Sequence, residues 1–315
     1  MACHTILDGS MTGDRTEPGE VVAEVTQLFD WSWNGQSVPV RYDVRGQGPE
    51  IFLLPAMSTV STRHEMGPLS RLLAPRFRTI CPDWPGFADA PRPRLRYEPA
   101  LYRQFLRDFT SHVVGHGVVV AAGHAAPYAL ELAHSSPSPW SHIVLVAPTW
   151  RGPLPTMMGG YRPLQARLRR LIELPVIGEA LYRLNTLPSV IAFMYRRHVY
   201  ADPRHLTPTV LEAKVTVAHQ RGARFASAAF VTGALDLVRS REHFHALADP
   251  KVPILLLYGA QTPARSRTEL EALAALPSVE SRCFEHGSLG LHEEFAEPVA
   301  EAVQEFLARR ASGSA

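Results

Sequence analysis

The stretch Val118-Val119-Val120-Ala121-Ala122-Gly123-His124-Ala125-Ala126-Pro127-Tyr128-Ala129-Leu130 decides the fold. It begins as a run of β-branched residues, passes through small residues and continues directly into a helical pattern. An apolar run of this kind is typical of a strand that is buried on both faces of a parallel sheet. Small residues permit a sharp, strained turn from strand to helix, the geometry that exposes a nucleophile at a sheet edge. The stretch therefore predicts a central strand, a tight turn and a helix.

Short apolar runs alternate with helical patterns on both sides of this stretch. Buried strands are predicted at residues 51–54, 77–81, 118–122, 143–146 and 252–258, and helices at 63–73, 98–114, 126–134 and 292–309. Residues 27–33 and 38–44 flank Asn34-Gly35, which is the strongest short hairpin signal. Alternating strands and helices predict a mostly parallel central sheet flanked by helices.

The segment from residue 151 to residue 249 interrupts this alternation. It is mainly helical in pattern, and a helical insertion between two strands of a parallel sheet is most simply a cap. We therefore predict an α/β core at residues 25–150 and 250–310 and a cap or lid at 151–249. Residues 1–24 are interpreted as a flexible leader and 311–315 as a frayed tail.

Composition excludes several classes of protein. The 315 residues are 46% apolar and 20% charged, which indicates a globular chain with a sizeable core. The net charge of +2 gives no footprint for nucleic acid. Three widely spaced cysteines, Cys3, Cys81 and Cys283, favour neither disulfides nor a zinc site. With neither a signal peptide nor an 18-residue apolar run, we expect a cytoplasmic protein without cofactor or metal.

Four further segments accompany the central stretch in a recognisable order. They are Leu53-Leu54-Pro55-Ala56-Met57, Asp83-Trp84-Pro85-Gly86-Phe87-Ala88-Asp89, Tyr258-Gly259-Ala260 and Glu293-Glu294-Phe295. Together they resemble the α/β-hydrolase superfamily over roughly residues 27–310. The resemblance implies an α/β-hydrolase fold with an inserted, mainly helical cap. The segments at 58–63, 123–126 and 287–292 also resemble cyanobacterial-type homologues of unassigned chemistry that lack the serine nucleophile.

The departures from this family concern its catalytic triad. In the elbow motif Gly-x-Ser-x-Gly the serine position is Ala125 and the second glycine is Pro127. The acid positions implied by the resemblance fall near Thr262 or Thr149, and neither residue is a carboxylate. The histidine position falls near Leu289, with His286 and His292 three residues to either side. We therefore predict a degenerate triad rather than a Ser-His-acid triad.

Polar groups that remain near the elbow are the candidate catalytic residues. His292 and His124 are candidates for moving a proton, and the backbone N–H groups of Met57 and Ala126 for an oxyanion hole. The alternatives are that His124 only packs behind the elbow and that His292 begins a helix and faces solvent.

A pocket wall is predicted from Ser58, Thr59, Trp150 and Met157. The hydroxyl groups around Ser58 have a second interpretation, because Thr62 suits the cap of the helix that starts near residue 63. Asp83 is interpreted as a brace of its loop rather than as a catalytic acid.

The predicted cap carries an excess of positive charge. Residues 151–249 contain thirteen arginines and Lys214 against seven acids, a net charge of +7. Solvated helix faces with arginine stems over apolar surface explain this pattern. Attraction of an anionic substrate and a weak membrane-surface contact by a basic amphipathic cap are the two other interpretations.

The expected ligand is a small apolar or amphipathic carbonyl or ester-type molecule. The sequence favours an enzyme that works without a serine acyl-enzyme, as a non-triad hydrolase, lyase or isomerase. The alternative is a non-catalytic, ligand-binding pseudo-hydrolase, since fold alone does not fix function. The oligomeric state stays open.

Overall fold

The main sheet of the protein has eight strands. The computed structural model describes residues 22–88 and 92–312. The strands are β1 (Glu24–Phe29), β2 (Val40–Arg45), β3 (Glu50–Leu54), β4 (Arg78–Pro82), β5 (Gly117–Ala122), β6 (Trp140–Val146), β7 (Ile254–Gly259) and β8 (Val279–Phe284). Their order across the sheet is β1-β2-β4-β3-β5-β6-β7-β8. β2 pairs antiparallel with β1 and β4, and every other pairing is parallel.

The side chains of the central strands point alternately to the two faces of the sheet, and the core therefore has two layers. In β5, Val119 and Ala121 join one apolar cluster while Val118 and Val120 join the other. Successive side chains of a strand point to opposite faces, so a strand that is apolar throughout contacts helices on both sides. All six residues of β5 are buried.

Thirteen α-helices are described, and α-helices pack on both faces of the sheet. The helices are α1 (Gly67–Leu73), α2 (Pro99–Phe109), α3 (Ala126–Ala133), α4 (Pro153–Met157), α5 (Pro163–Glu173), α6 (Ile177–Asn185), α7 (Pro188–Met194), α8 (Pro208–Ala218), α9 (Ala223–Val231), α10 (Arg241–Leu247), α11 (Ala264–Ala274), α12 (Leu291–Glu294) and α13 (Ala296–Ser312). The apolar faces of α2 and α3 pack on one side of the sheet, and those of α1 and α13 on the other.

The fold predicted from the sequence is confirmed. Each predicted buried strand is present, and residues 151–249 contain helices and no described strand. The division into core and cap stays a prediction. The hairpin turn is also present, with Asn34 and Gly35 both at positive φ (49° and 77°).

Several details differ from the predictions. The expected helix 98–114 finishes as a π-helix over Thr110–Val114. The expected helix 292–309 is broken at Phe295 into α12 and α13, because Phe295 leaves the helical region (φ −124°, ψ 46°). Strand β8 has no counterpart among the predictions, because it lies at the sheet edge and three of its six side chains are exposed.

The two predicted termini are only partly described. β1 already begins at Glu24, and most of the predicted leader, residues 1–21, lies outside the described residues. Helix α13 continues to Ser312, so the backbone of the predicted tail is helical at 311 and 312. Among the described helices, none has both the length and the apolar composition that a bilayer span requires.

Candidate active site

The strained residue of the turn after β5 is Gly123. It has φ +50°, whereas Ala122 is extended and Ala125 is already helical (φ −72°, ψ −24°). Glycine adopts positive φ without the steric cost of a Cβ atom. A Cβ atom on Gly123 would lie 3.0 Å from the Cβ atom of Ala56. The sequence motif had placed the elbow residue at Ala125, so the structure moves the strained position two residues towards β5.

The positions that the resemblance implies for the acid and the histidine are Thr262, Thr149 and Leu289, and the degenerate triad stays a prediction. Thr262 is buried (3% exposed), and its Oγ1 atom has no hydrogen-bond partner among the described residues. Leu289 is half-buried and His286 is exposed. Thr149 lies beside the turn, because its N–H donates to the carbonyl oxygen of Gly123 at 3.0 Å.

Only one of the two predicted oxyanion donors is compatible with the geometry. The N–H of Ala126 donates to the carbonyl oxygen of Gly123 inside the turn, so the prediction for Ala126 is wrong. Met57 is buried (1% exposed) at the end of the loop after β3, and its N–H stays a candidate donor. The neighbouring N–H of Ala56 donates to Glu65 Oε1 at 2.5 Å.

His292 forms a buried pair with Glu65. The Nε2 atom of His292 lies 3.4 Å from Glu65 Oε1, and the two side chains are 3% and 2% exposed. Neither ring nitrogen of His292 has a hydrogen-bond partner within the described part of the chain. The interpretation of His292 as a solvent-facing residue is therefore wrong. Glu65 thus links a histidine from α12 to the loop that follows β3.

An ion pair of Lys214 and Glu293 lies next to His292 and Glu65. The Nζ atom of Lys214 contacts the two carboxylate oxygens of Glu293 at 3.1 and 3.2 Å, and the hydroxyl group of Tyr200 donates to the same carboxylate at 2.8 Å. Burial alone would lower the pKa of Lys214, but the negative charge of Glu293 raises it well above its usual value. Burial conversely raises the pKa of Glu293, but the positive charge of Lys214 lowers it overall.

We call Glu65, His292, Glu293, Lys214 and Tyr200 the His292 cluster. Single donor atoms of Glu65, His292 and Glu293 lie within 4.8 Å of one another, a spacing that could hold a metal ion. The Lys214 ammonium group already contacts both oxygens of Glu293, and this arrangement suits a fixed ion pair better than a divalent cation.

The helical insertion covers the loop that leads to His292. The N–H of Gly290 donates to the carbonyl oxygen of Val199 at 2.8 Å, and the hydroxyl group of Ser288 donates to that of His198 at 3.0 Å. Lys214 and Tyr200 come from the same insertion. The His292 cluster is therefore formed jointly by the sheet edge and the inserted helices.

His124 has different surroundings. Its Nε2 atom lies 3.2 Å from Asp236 Oδ1, and both side chains are fully buried. Asp236 also accepts hydrogen bonds from the N–H of Gly152 and the hydroxyl group of Tyr161, at 2.9 and 2.7 Å. His124 thus ties the turn after β5 to the inserted helices. This arrangement supports the packing interpretation over the catalytic one.

The four predicted pocket residues differ in burial and in their contacts. Ser58 Oγ accepts the N–H groups of Val60 and Ser61, and Thr59 is half-buried. Trp150 is buried and donates to Glu269 at 3.2 Å. Met157 is 59% exposed, and its place in a pocket wall stays a prediction.

Two cavities are described, and neither is lined by the four predicted pocket residues. One cavity, of about 830 Å³, lies at the amino ends of the parallel strands, beside Phe77, Val118 and Pro253. The loop that leads to His292 follows the carboxyl end of β8 instead. The other, of about 100 Å³, adjoins Arg63.

Asp83 braces its loop, as predicted from the sequence. It accepts the N–H of Arg63 at 2.8 Å and the guanidinium group of Arg63 at 2.6 Å. Arg63 also contacts Asp43 at 2.9 Å, and the side chains of these three residues are at most 8% exposed. Thr62 accepts the N–H of His64 at 3.2 Å, which confirms its capping role. This network holds the short 3-10 helix that carries Glu65.

Most of the chain matches one known protein family. Residues 39–302 match the model of the Alpha/beta hydrolase family. The chain belongs to this family. No curated protein matches it in sequence.

Solved structures of several enzymes share the fold of this Alpha/beta hydrolase family member. A thermophilic esterase from Thermogutta terrifontis is 20% identical, with a TM-score of 0.68 and coverage of 90% of this chain and 98% of the esterase. The epoxide hydrolase CorEH is 17% identical, with a TM-score of 0.67 and coverage of 90% and 99%. A variant of the haloalkane dehalogenase DatA from Agrobacterium tumefaciens C58 is 16% identical, with a TM-score of 0.65 and coverage of 90% and 97%.

Sequence reasoning missed four members of the His292 cluster. Glu65, Glu293, Lys214 and Tyr200 were not singled out, because each belongs to a segment with an ordinary structural explanation. One signal was present for Lys214. It is one of only two lysines in a chain whose other 30 basic residues are arginines.

Proposed function

We propose that this protein is an enzyme that acts on a small apolar or amphipathic carbonyl or ester-type molecule without a serine acyl-enzyme. The activity would be that of a non-triad hydrolase, a lyase or an isomerase. One observation carries the proposal: His292 is buried 3.4 Å from Glu65, and neither ring nitrogen has a hydrogen-bond partner among residues 22–88 and 92–312. A histidine in that environment is suited to accept and return a proton.

The surroundings of His292 support this role. Glu65 is a positioning residue, because its carboxylate also accepts the N–H of Ala56 and so fixes the pair against the loop after β3. Ala56 in turn adjoins Gly123, the strained residue of the turn. We infer that Gly123 occupies the elbow position and leaves free the space that a nucleophilic side chain would fill.

A hydrolytic reaction would run without a covalent intermediate. His292 would take a proton from water while the oxygen of that water adds to the substrate carbonyl carbon. The N–H of Met57 would donate to the carbonyl oxygen as it becomes negative. The tetrahedral intermediate would then collapse: the carbonyl group re-forms, the bond between its carbon and the leaving group breaks, and the leaving group takes the proton from the imidazolium. In a lyase or isomerase, His292 would instead remove a proton next to the carbonyl group and return it elsewhere.

The alternative is a non-catalytic ligand-binding pseudo-hydrolase. It is favoured by the contacts that close the inserted helices over Gly290 and Ser288, beside the His292 cluster. Mass spectrometry of ligand that copurifies with the protein separates the two functions. An enzyme converts the compound when it is added back in excess, whereas a binding protein returns it unchanged.

We expect the wild-type protein to react like an enzyme without a serine nucleophile. p-Nitrophenyl acetate should be hydrolysed at a rate near background, and a fluorophosphonate probe should leave the intact mass unchanged, because Gly123 and Ala125 offer no hydroxyl group. Intact-mass spectrometry and peptide mapping measure both outcomes. Stoichiometric labelling of Ser58 or Ser61 would reveal a relocated nucleophile and overturn the proposal.

Restoring a serine at the turn should not create an esterase. We expect Ala125→Ser and Gly123→Ser each to stay near the background rate with p-nitrophenyl acetate, because Thr262 and Leu289 supply neither acid nor base. Gly123→Ser should also lower the melting temperature, since the residue has φ +50°. Activity typical of a serine esterase in either variant would show that a functional base and acid had been overlooked.

A further inference from the structure

Exposed apolar side chains are concentrated in one part of the inserted helices. Of thirteen large apolar side chains exposed in the described chain, nine lie between residues 164 and 193. They are Leu164, Leu171, Leu174, Val176, Ile177, Leu181, Leu184, Leu187 and Phe193, with exposures from 38% to 82%. We call this set the cap surface. Single exposed apolar residues are ordinary, but such a concentration indicates an interaction site.

The cap surface follows the periodicity of its helices. In α6 the exposed Ile177, Leu181 and Leu184 are spaced i, i+4 and i+7, while Gly178 and Tyr182 are buried on the other side of the helix. This spacing places the three side chains on one face. The opposite face is already packed against the protein. The exposed apolar face of α6 is therefore left without a partner in the described part of the chain.

The connection between α5 and α6 forms an apolar apex. Val176 is 82% exposed and has φ +59°. Positive φ is a steric outlier for a β-branched residue, and such strain is often kept where a segment has a function. Leu174 and Ile177 flank this residue and are 46% and 57% exposed.

Positive charge surrounds the apolar residues. Residues 162–197 contain seven arginines and two acids, a net charge of +5. Both acids are already paired, Glu173 with Arg169 and Glu179 with Arg183 and Arg224. Five exposed arginines have no carboxylate partner in the described ranges: Arg162, Arg167, Arg170, Arg196 and Arg197. The surface thus combines apolar side chains with uncompensated positive charge.

We propose that the cap surface docks on a lipid bilayer that contains anionic headgroups. Aliphatic side chains at an exposed apex enter the boundary between headgroups and acyl chains, and neighbouring arginines contact the headgroup phosphates. A second copy of the chain fits less well, because two surfaces of net charge +5 would repel each other. Protein interfaces are centred on aromatic anchors, whereas eight of these nine side chains are aliphatic.

Vesicle sedimentation tests this proposal with the whole protein. Vesicles of phosphatidylcholine alone are compared with vesicles that also contain about one-third phosphatidylglycerol, at low and high salt. One variant combines Val176→Ser, Ile177→Ser and Leu184→Ser, and another combines Arg167→Gln, Arg170→Gln and Arg197→Gln. The control for the serine variant combines Val25→Ser, Leu28→Ser and Leu72→Ser. The control for the glutamine variant combines Arg71→Gln, Arg76→Gln and Arg107→Gln. All six positions are exposed and lie outside the cap surface.

We expect the wild-type protein to bind anionic vesicles, to bind neutral vesicles at least tenfold more weakly, and to dissociate at high salt. Both cap-surface variants should lose at least tenfold in affinity, while both controls stay within twofold. Circular dichroism and thermal unfolding identify any variant that fails to fold, and the other cap-surface variant then decides. Three results would overturn the proposal. The first is no binding to anionic vesicles, and the second is an equal loss of vesicle affinity in the controls and the cap-surface variants. The third is that light scattering shows the wild-type protein as a dimer and only the serine variant as a monomer.

Discussion

We expect the replacement of His292 by alanine to lower the turnover rate at least 100-fold. Ligand affinity should stay within about tenfold of the wild type, a cost below ~1.4 kcal/mol. The reason is that the imidazole would carry the proton in every version of the proposed reaction, whereas ligand binding depends on the rest of the site. Turnover is measured with the compound that copurifies with the wild-type protein. Affinity is measured by calorimetry and folding by thermal unfolding.

His286→Ala is the matched control, because this histidine precedes the same helix and is exposed. It should leave turnover and stability unchanged. Glu65→Gln provides a second comparison, since its amide oxygen still accepts the N–H of Ala56 but carries no charge. We expect it to lower kcat and to change the pH dependence of kcat more than KM. Unchanged turnover in His292→Ala, or loss of binding in step with loss of folding, would defeat the catalytic role and favour the binding protein.

Replacing Arg63 with methionine lowers the free energy of unfolding by about 3–5 kcal/mol. Arg63 contacts Asp43 and Asp83 at 2.9 and 2.6 Å, and its replacement removes the guanidinium group from these two buried carboxylates. Denaturant unfolding followed by circular dichroism measures the change.

Arg76→Met is the control for this change, because Arg76 is exposed and its replacement leaves no buried charge. It should change the free energy of unfolding by less than about 0.5 kcal/mol. Arg63→Lys keeps one positive charge and should lie between the wild type and Arg63→Met. Equal stabilities of Arg63→Met and Arg76→Met would show that the network contributes nothing to folding.

Local sequence patterns were sufficient to predict the central strand of the sheet and the hairpin turn. The run 118–122 predicted β5 because a strand buried on both faces must be apolar throughout. Asn34-Gly35 predicted the hairpin because both residues tolerate positive φ. β8 escaped prediction because an edge strand with exposed side chains has no continuous apolar run.

The sequence also identified His292 and the absence of a nucleophilic side chain at Ala125. It placed the turn residue at 125 because Gly123 was taken as the first glycine of the family motif, whereas the positive φ is that of Gly123 itself. It proposed Ala126 as a backbone donor, but only the folded turn shows that this N–H is already used by the carbonyl oxygen of Gly123.

What the sequence by itself determined is most of the sheet and its flanking helices, because each follows from residue types at short spacing. The tertiary structure alone decided the partners of His292. Glu65 lies 227 positions before His292, and Lys214 reaches Glu293 across 79 positions. No periodicity connects residues at such separations. They meet because β3 and β8 both direct their following loops to the same edge of the sheet, where the inserted helices cover them.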